Sequence, residues 1–457
     1  MKRIITLALI LLCGSVCQSA QIGAKSKRVN VIGDLKSDFS QSLIQPISSK
    51  FGPKGQICAG VNIHFVTGHE KDLDLIAAAG FKFIRMDFGW QSTERIKGTY
   101  NWALFDELTA NLEKRGLGAI YIFDYSNALY EESAVSKDPI IGKEQKATAS
   151  PQHAESVAAF AHWAAAAAQH YKSKNIIWEI WNEPNISFWK PKPDVAQYTA
   201  LALATCKAVK AAVPGATIIG PASSETPWPF LETFLSSGVL EYLDAVSIHP
   251  YRNYSKSPET ASNDYKKLRE LIERYAPQDK KQMPIISSEW GYSTALKANS
   301  LEAQAANIVR MQLSNLVCGI PISIWYDWKN DGTDPNDWEQ NFGTVTNDLE
   351  PKPSYNAVKL MNTSLKGYAL IQRIDLKNDR DYALLFKNDK GKYKICAWTV
   401  DAEHADTIEN TISKVKNVTI TDGIGNTMNP KTEQDKLVLE LKALPQYVTI
   451  PKGISLK

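Results

Sequence analysis

The stretch IIWEIWNEPN, at residues 176–185, begins the segment from which the fold can be predicted. An apolar run, Ile176–Trp181, ends in polar residues, and an amphipathic stretch, Val195–Ala212, follows it. A proline at position 214 would end that helix, and a second apolar run, Thr217–Gly220, comes next. Strand, helix and strand in this order are typical of a parallel sheet with crossover helices.

The same alternation extends over residues 57–365. Each predicted strand is followed by a stretch with helical periodicity, and glycines such as Gly80 and Gly116 would end two of the helices. Eight such units predict an α/β fold, a (β/α)₈ TIM barrel. The predicted strands are Ile57–Phe65, Phe81–Phe88, Gly118–Phe123, Ile176–Trp181, Thr217–Gly220, Ala245–His249, Ile285–Glu289 and Ile322–Asp327.

Residues 366–457 follow another pattern. Short runs alternate apolar and polar residues, and the turns between them are rich in Asn, Asp and Gly, as in Asn388–Gly391. This predicts a C-terminal antiparallel β-sandwich domain. Sugar binding and packing against the barrel are both compatible with it, and we favour packing.

The N-terminal residues 1–20 have the features of a signal peptide. Lys2 and Arg3 precede an apolar run, Ile4–Cys13, and small and polar residues continue to Ala20. We therefore expect export to the periplasm or the extracellular space, with residues 21–56 as a linker segment. A lipid anchor on Cys17 is the alternative. The apolar run is too short to span a bilayer, and no later stretch predicts a membrane span.

The composition excludes several classes of protein. With 44% apolar and 22% charged residues the chain is globular. Lys and Arg number 52 against 49 acidic residues, so without the two basic residues of the signal the net charge is 50 − 49 = +1. Such a chain has no general attraction for nucleic acid or anionic membranes. The cysteines beyond the signal are far apart and lie among apolar residues, which favours buried thiols over a zinc site.

Polar residues stand at the ends of the predicted barrel strands, where barrel enzymes carry their catalytic groups. Glu183 follows the fourth strand and Glu289 ends the seventh. Two carboxyl groups that flank one bond suit acid-assisted glycoside cleavage, because one protonates the leaving oxygen and the other attacks or stabilises the anomeric carbon.

Both segments resemble a known group of enzymes. Residues 177–185 resemble the Asn-Glu-Pro motif of clan A retaining glycoside hydrolases, and Ile286–Gly291 is similar to their nucleophile segment. The residues around Arg85–Trp90 and Asp124–Asn127 are most similar to family 39, with the cellulase-like family 5 next. Family 5 members commonly carry a His at the end of strand three, whereas this chain has Asp124 and Tyr125.

The resemblance implies roles for individual residues. Glu183 would be the general acid/base and Glu289 the nucleophile, with carboxyl groups about 5–5.5 Å apart. Arg85 would be the cation beside Glu289, and Asn182 would bind the sugar 2-hydroxyl. His249 and Tyr251 would orient the two carboxylates, and Trp325 would form the floor for the sugar at the cleaved bond. Independently of the resemblance, His64 and Asp124 are expected to contact substrate because they lie at strand ends, and Trp328, Trp189 and Trp228 are candidates for sugar stacking because they lie in loops after strands.

Other interpretations stay open. The chain could be a catalytically inactive carbohydrate-binding barrel, or a barrel enzyme of other chemistry such as a lyase or aldolase. We expect Glu179 to be a buried structural carboxylate paired with an inner Arg or a hydroxyl. No cofactor or metal motif is found, since the acidic loop Asp331–Asp337 lacks the spacing of an EF-hand. The expected partner is an oligo- or polysaccharide substrate.

Overall fold

The computed structural model describes residues 51–137, 144–295, 298–376, 378–408, 418–433 and 436–450. The predicted signal peptide and most of the predicted linker lie outside these residues. The described chain forms a barrel followed by two antiparallel sheets. The predicted TIM barrel with a C-terminal β-sandwich is therefore confirmed.

Eight parallel strands close the barrel in the order β1-β8-β7-β6-β5-β4-β3-β2. The strands are β1 Ala59–Asn62, β2 Phe83–Gly89, β3 Gly118–Asp124, β4 Ile176–Ile180, β5 Thr217–Ser224, β6 Ala245–His249, β7 Ile285–Trp290 and β8 Ser323–Trp325. The helices that follow them are α1 Glu70–Ala78, α2 Ala103–Glu113, α3 Ala154–His170, α4 Val195–Ala212, α5 Trp228–Leu235, α6 Ala261–Tyr275, α7 Leu301–Val317 and α8 Pro353–Leu365.

Apolar side chains from β2 to β8 fill the barrel interior, and Cys58, just before β1, joins them. Because side chains alternate between the two faces of a strand, residues two and four positions further along also point inward, toward the mouth. The larger outer core lies between the strands and the helices. The apolar interior residues are Phe83, Ile120, Ile177, Ile219, Ala245, Ile286, Ile322 and Ile324, together with Phe51 and Cys58.

Two β-hairpins that were not predicted from the sequence lie at the mouth of the barrel. Glu94–Ile96 pairs with Thr99–Tyr100 after β2, and Ser133–Lys137 pairs with Glu144–Thr148 after β3. The second lies in the long segment that leads from β3 to α3. These insertions lengthen the wall of the barrel mouth on the side of β2 and β3.

The C-terminal domain is a sandwich of two sheets. The larger has the order β9-β10-β11-β17-β13-β14 and the smaller the order β12-β16-β15. The strands are β9 Tyr368–Ile374, β10 Asp381–Asn388, β11 Tyr393–Thr399, β12 His404–Ile408, β13 Thr419–Thr421, β14 Thr427–Met428, β15 Lys431–Glu433, β16 Lys436–Leu441 and β17 Gln446–Ile450.

Alternate residues of the larger sheet serve two cores. Leu385 and Ile395 face the smaller sheet, whereas Phe386 and Trp398 join the core of the barrel. Trp398 Nε1 also donates a 2.8 Å hydrogen bond to Glu259, which follows β6. The domain therefore packs directly against the barrel.

The four described cysteines are free thiols. Cys58, Cys206 and Cys396 are buried and Cys318 is half-buried. Within the described residues, none of the helices combines the length and the apolar character needed to cross a bilayer.

Candidate active site

Strand alternation brings three polar residues to the centre of the barrel. Arg85 lies two positions beyond Phe83, Glu179 two beyond Ile177, and His249 four beyond Ala245 on their strands. All three side chains are fully buried, at 0–1% exposure. The site is therefore built directly on top of the apolar interior of the barrel.

The chain turns sharply after β4 to present Glu183. The backbone of Trp181 and of Glu183 adopts left-handed conformations, with φ of 66° and 47°. Non-glycine residues rarely adopt these angles, and each costs about 1–3 kcal/mol. The Glu183 amide donates a 3.0 Å hydrogen bond to the Ala222 carbonyl of β5, which stabilises the turn.

Arg85 is the hub of the site. Its Nε donates to Glu179 and its Nη1 to Glu289, both at 2.6 Å. Its Nη2 donates to Asn182 Oδ1 at 2.9 Å and lies 3.2 Å from His249 Nε2. Burial is the largest single effect on the pKa of Glu179 and raises it, but the charges of Arg85 and His249 and hydrogen bonds from Ser247 and Ser288 together lower it. The expected pairing of Glu179 with an inner Arg is confirmed.

Glu289 is surrounded by hydrogen-bond donors. Besides Arg85, Asn62 Nδ2 donates to Oε2 at 3.2 Å and the Tyr251 hydroxyl donates to Oε1 at 2.8 Å. Burial raises the pKa of Tyr251 well above 10, so its phenol stays protonated and remains a donor. Three donors around one carboxylate favour its negative charge.

Glu183 has a different environment. Burial raises its pKa to about 7, against the opposing effects of a hydrogen bond with Ser224 and the charge of Arg85. His249 Nδ1 lies 3.0 Å from Glu183 Oε1. One carboxylate oxygen of Glu183, one ring nitrogen of His249 and one carboxylate oxygen of Glu289 all lie within 4.8 Å of one another.

A groove of about 1790 Å³ opens in the barrel mouth, and neither Glu183 nor Glu289 is among the residues that line it. His64 and Asp124, two expected substrate contacts, line it, and so does Tyr125, whose hydroxyl accepts a 3.0 Å hydrogen bond from Asn182 Nδ2. The segments that follow three strands form the walls of the groove. They contribute Ala147 and Thr148 from the hairpin after β3, and Phe188 and Lys190 after β4. The segment after β8 contributes Asp331, Gly332, Thr333, Asp337 and Trp338.

Two predicted aromatic contacts at the end of β8 are not placed at the groove. Because Ile322 and Ile324 fill the barrel interior, Trp325 points outward to the helices, where its Nε1 donates to the Phe342 carbonyl at 3.2 Å. Trp328 is 1% exposed, and its Nε1 donates to Asp72 of α1 at 2.8 Å. Their expected roles as sugar floor and stacking residue are wrong, because both rings pack in the outer core.

The other two proposed stacking residues also serve packing. Trp189 is fully buried against Trp181 and Tyr198. Trp228 begins α5, and Lys267 Nζ lies 4.2 Å above its ring. Of the residues proposed for sugar stacking, none therefore offers a free aromatic face at the groove in the part of the chain described here.

Three residues at the site were missed by the sequence interpretation. Tyr326 follows Trp325, so strand alternation turns it inward, where its ring meets His64 edge-on at 5.6 Å between centroids and its hydroxyl donates to Glu339. Asn62 contacts Glu289, and Tyr125 contacts Asn182. The alternation of β1 and β8 was the available signal for Asn62 and Tyr326, since both continue an inward-facing series, whereas Tyr125 lies one residue beyond the end of β3 and has no such signal.

Comparison with known proteins shows the family to which the chain belongs. Residues 52–332 match the model described as Cellulase (glycosyl hydrolase family 5). The chain belongs to glycosyl hydrolase family 5. This match spans the barrel strands and both glutamates, and it confirms the resemblance to clan A glycoside hydrolases, with a carbohydrate as the substrate class. No curated protein sequence matches this family 5 chain.

Solved structures place the same fold in other clan A families. A family 39 glycoside hydrolase from Bacteroides cellulosilyticus WH2 is 26% identical, with a TM-score of 0.74 over 89% of this chain and 83% of that chain. A family 39 β-xylosidase from Caulobacter crescentus has 18% identity and a TM-score of 0.63 over 89% and 97%. A family 30 endoxylanase from Clostridium papyrosolvens has 12% identity and a TM-score of 0.61 over 89% and 98%.

Proposed function

We propose that this protein is a retaining β-glycosidase that hydrolyses O-glycosidic bonds of an oligo- or polysaccharide through a covalent glycosyl-enzyme intermediate. The observation that carries the proposal is the short separation of the two carboxylates, with oxygens of Glu183 and Glu289 within 4.8 Å. Retaining enzymes hold their carboxyl groups about 5–5.5 Å apart, whereas inverting enzymes leave about 6.5–9.5 Å for a water molecule.

In the first step Glu289 attacks the anomeric carbon. The bond from that carbon to the leaving oxygen breaks, and Glu183 transfers its proton to this oxygen. Donors from Arg85, Asn62 and Tyr251 keep Glu289 in its charged, nucleophilic form. The raised pKa of Glu183, about 7, supports its role as the proton donor near neutral pH.

In the second step Glu183, now a carboxylate, takes a proton from water, and the resulting hydroxide attacks the anomeric carbon and releases Glu289. Two displacements at one carbon return the original configuration, so the product keeps the anomeric form of the substrate. Asn182, held between Arg85 and Tyr125, is placed to bind a hydroxyl of the sugar at the cleaved bond.

The groove supports a substrate longer than one sugar. Its volume of about 1790 Å³ exceeds the roughly 300–1,000 Å³ of sites for single small ligands. Phe188 and Trp338 add aromatic surface to its walls. The N-terminal segment fits export, so we propose that the enzyme acts on glycans in the periplasm or outside the cell.

Covalent trapping tests the function directly. The protein is incubated with a panel of 2-fluoro glycosides, which slow the second step, and the labelled peptide is identified by mass spectrometry. We expect one sugar to label the peptide with Glu289 and to leave Glu289→Gln unlabelled. No label from any sugar, together with no reducing ends released from a broad polysaccharide panel, would favour the inactive carbohydrate-binding barrel instead.

A further inference from the structure

The contact between Arg85 and His249 determines where the imidazole carries its proton. Arg85 Nη2 lies 3.2 Å from His249 Nε2, and a guanidinium nitrogen can only donate. His249 Nε2 must therefore accept through its lone pair, which places the ring proton on Nδ1. Rotating the ring by 180° would turn carbon atoms toward both Arg85 and Glu183 and lose both contacts.

We propose that Glu179 and Arg85 together lock His249 in the neutral Nδ1–H tautomer, so that His249 donates permanently to Oε1 of Glu183 and the catalytic proton resides on Oε2. The statement about the catalytic proton rests on the proposed glycosidase function, whereas the tautomer does not. Glu179 is in this scheme a positioning residue. It is fully buried one layer below the glutamates and acts through Arg85.

The location of the proton on Glu183 follows from hydrogen-bond chemistry. In a carboxylic acid the carbonyl oxygen is the better acceptor, and the hydroxyl oxygen carries the hydrogen. The Nδ1–H group of His249, 3.0 Å from Oε1, marks Oε1 as the accepting oxygen. In the first step the Oε2–H bond breaks, and its proton passes to the leaving glycosidic oxygen.

Glu179 is needed because Arg85 must hold one orientation. The Nε contact with Glu179 directs the opposite edge of the guanidinium, with Nη1 and Nη2, toward Glu289, Asn182 and His249. Glu179 makes this contact at 2.6 Å in a fully buried position. Without its charge the guanidinium could turn, and Nε2 of His249 would lose the group that forces it to accept.

The charges around His249 and Glu183 come from four strands. Arg85 faces His249 from β2, Glu179 and Glu183 from β4 and its following turn, and Glu289 from β7. Ser224 and Glu225, at the end of β5, also act on Glu183. Burial lowers the pKa of His249 to about 4, with Arg85 acting in the same direction and Glu289 opposing it. The imidazole is thus neutral at neutral pH.

Nuclear magnetic resonance can observe the tautomer in the intact protein. Long-range proton–nitrogen correlations of ¹⁵N-histidine protein distinguish Nδ1–H from Nε2–H, and His249→Asn identifies the signal among the seven histidines. We expect only Nδ1 of His249 to carry a proton in the wild type and a mixture of tautomers in Glu179→Gln. A proton on Nε2 in the wild type would overturn the proposal.

Two substitutions of His249 form a matched pair for kinetics. The amide nitrogen of Asn lies near the position of Nδ1, and that of Gln lies near Nε2. His249→Asn can therefore still donate to Glu183, whereas His249→Gln cannot. A hydrogen bond to the carboxylate stabilises the charged form. We thus expect the upper limb of the kcat/KM–pH profile to stay in place in His249→Asn and to move to higher pH in His249→Gln.

Glu179→Gln tests the positioning role, and thermal unfolding checks that the variant is folded. We expect kcat to fall about tenfold with little change in KM, and the upper pH limb to rise as in His249→Gln. The proposal is wrong if both His249 variants shift the limb equally, or if Glu179→Gln changes neither tautomer nor pH profile. An inactive wild type would instead refute the proposed function, and the tautomer measurement would still stand.

Discussion

Glu183 and Glu289 are chemically identical side chains in one barrel mouth, yet their surroundings differ. Glu289 accepts hydrogen bonds from a guanidinium, an amide and a phenol. Glu183 contacts His249 Nδ1 through Oε1. Burial is the largest effect on its pKa and raises it to about 7. Both side chains are buried, Glu183 at 1% and Glu289 at 5% exposure, so burial alone does not explain the difference between them.

The difference lies in which neighbour brings the positive charge. Arg85 Nη1 contacts Glu289 directly. Between Arg85 and Glu183 lies the neutral ring of His249, which contacts both. Glu183, whose pKa is raised to about 7, is thereby able to hold a proton near neutral pH. The contrast supports the proposed roles of Glu289 as the nucleophile and Glu183 as the acid/base, and mutations and pH changes can test each part of it.

The largest loss is expected from Glu289→Gln, because no covalent intermediate can form without the carboxylate. We expect kcat to fall by about 10⁴–10⁶-fold on every substrate. The measurement is the initial rate on aryl glycosides with good and poor leaving groups. A loss that disappeared with a good leaving group would mean that Glu289 is the proton donor and would reverse the assignment.

A smaller, selective loss is expected from Glu183→Gln. General acid catalysis contributes about 10²–10⁴-fold, and a leaving group that needs no proton does not use it. The first step on a dinitrophenyl glycoside should therefore stay fast while hydrolysis of an alkyl glycoside slows by this factor. Added azide, a nucleophile that needs no base, should restore turnover of the dinitrophenyl substrate. Equal losses on both substrates would contradict the role.

Tyr251→Phe removes one neutral donor from Glu289 and leaves Arg85 in place. A hydrogen bond to a charged group contributes about 1.5–3 kcal/mol, so we expect a loss of roughly 10–150-fold in kcat/KM. Steady-state kinetics measures the change in kcat/KM. As a control, the variant should unfold at the same temperature as the wild type. An unchanged rate would show that Arg85 and Asn62 alone maintain the charge of Glu289.

The mildest test varies only the pH. Glu183 must be protonated for the first step, and its pKa is about 7. With a poor leaving group, kcat/KM should therefore be maintained just below pH 7 and fall about tenfold per pH unit above it. In Glu183→Gln this upper limb should disappear. A limb that persisted in the variant would belong to another group.

Much of this site could be predicted from strand ends. Glu289 and His249 end predicted barrel strands, Glu183 and Tyr251 lie just beyond such ends, and Arg85 lies on the inward face of the predicted second strand. The aromatic residues at the end of β8 were harder to place, because consecutive side chains in the motif Trp325–Trp328 point in different directions. Only the register of β8, with Ile322 and Ile324 inside, turns Tyr326 inward and Trp325 outward.

The sequence by itself determined the fold class, the C-terminal β-sandwich and the two carboxylates, because these depend on periodicity and on local motifs. The tertiary structure alone decided how the carboxylates differ. Arg85 reaches Glu179, Glu289, Asn182 and His249 from strands far apart in the chain. Hydrogen-bond geometry and burial arise only when the barrel closes, and they set the protonation of each group.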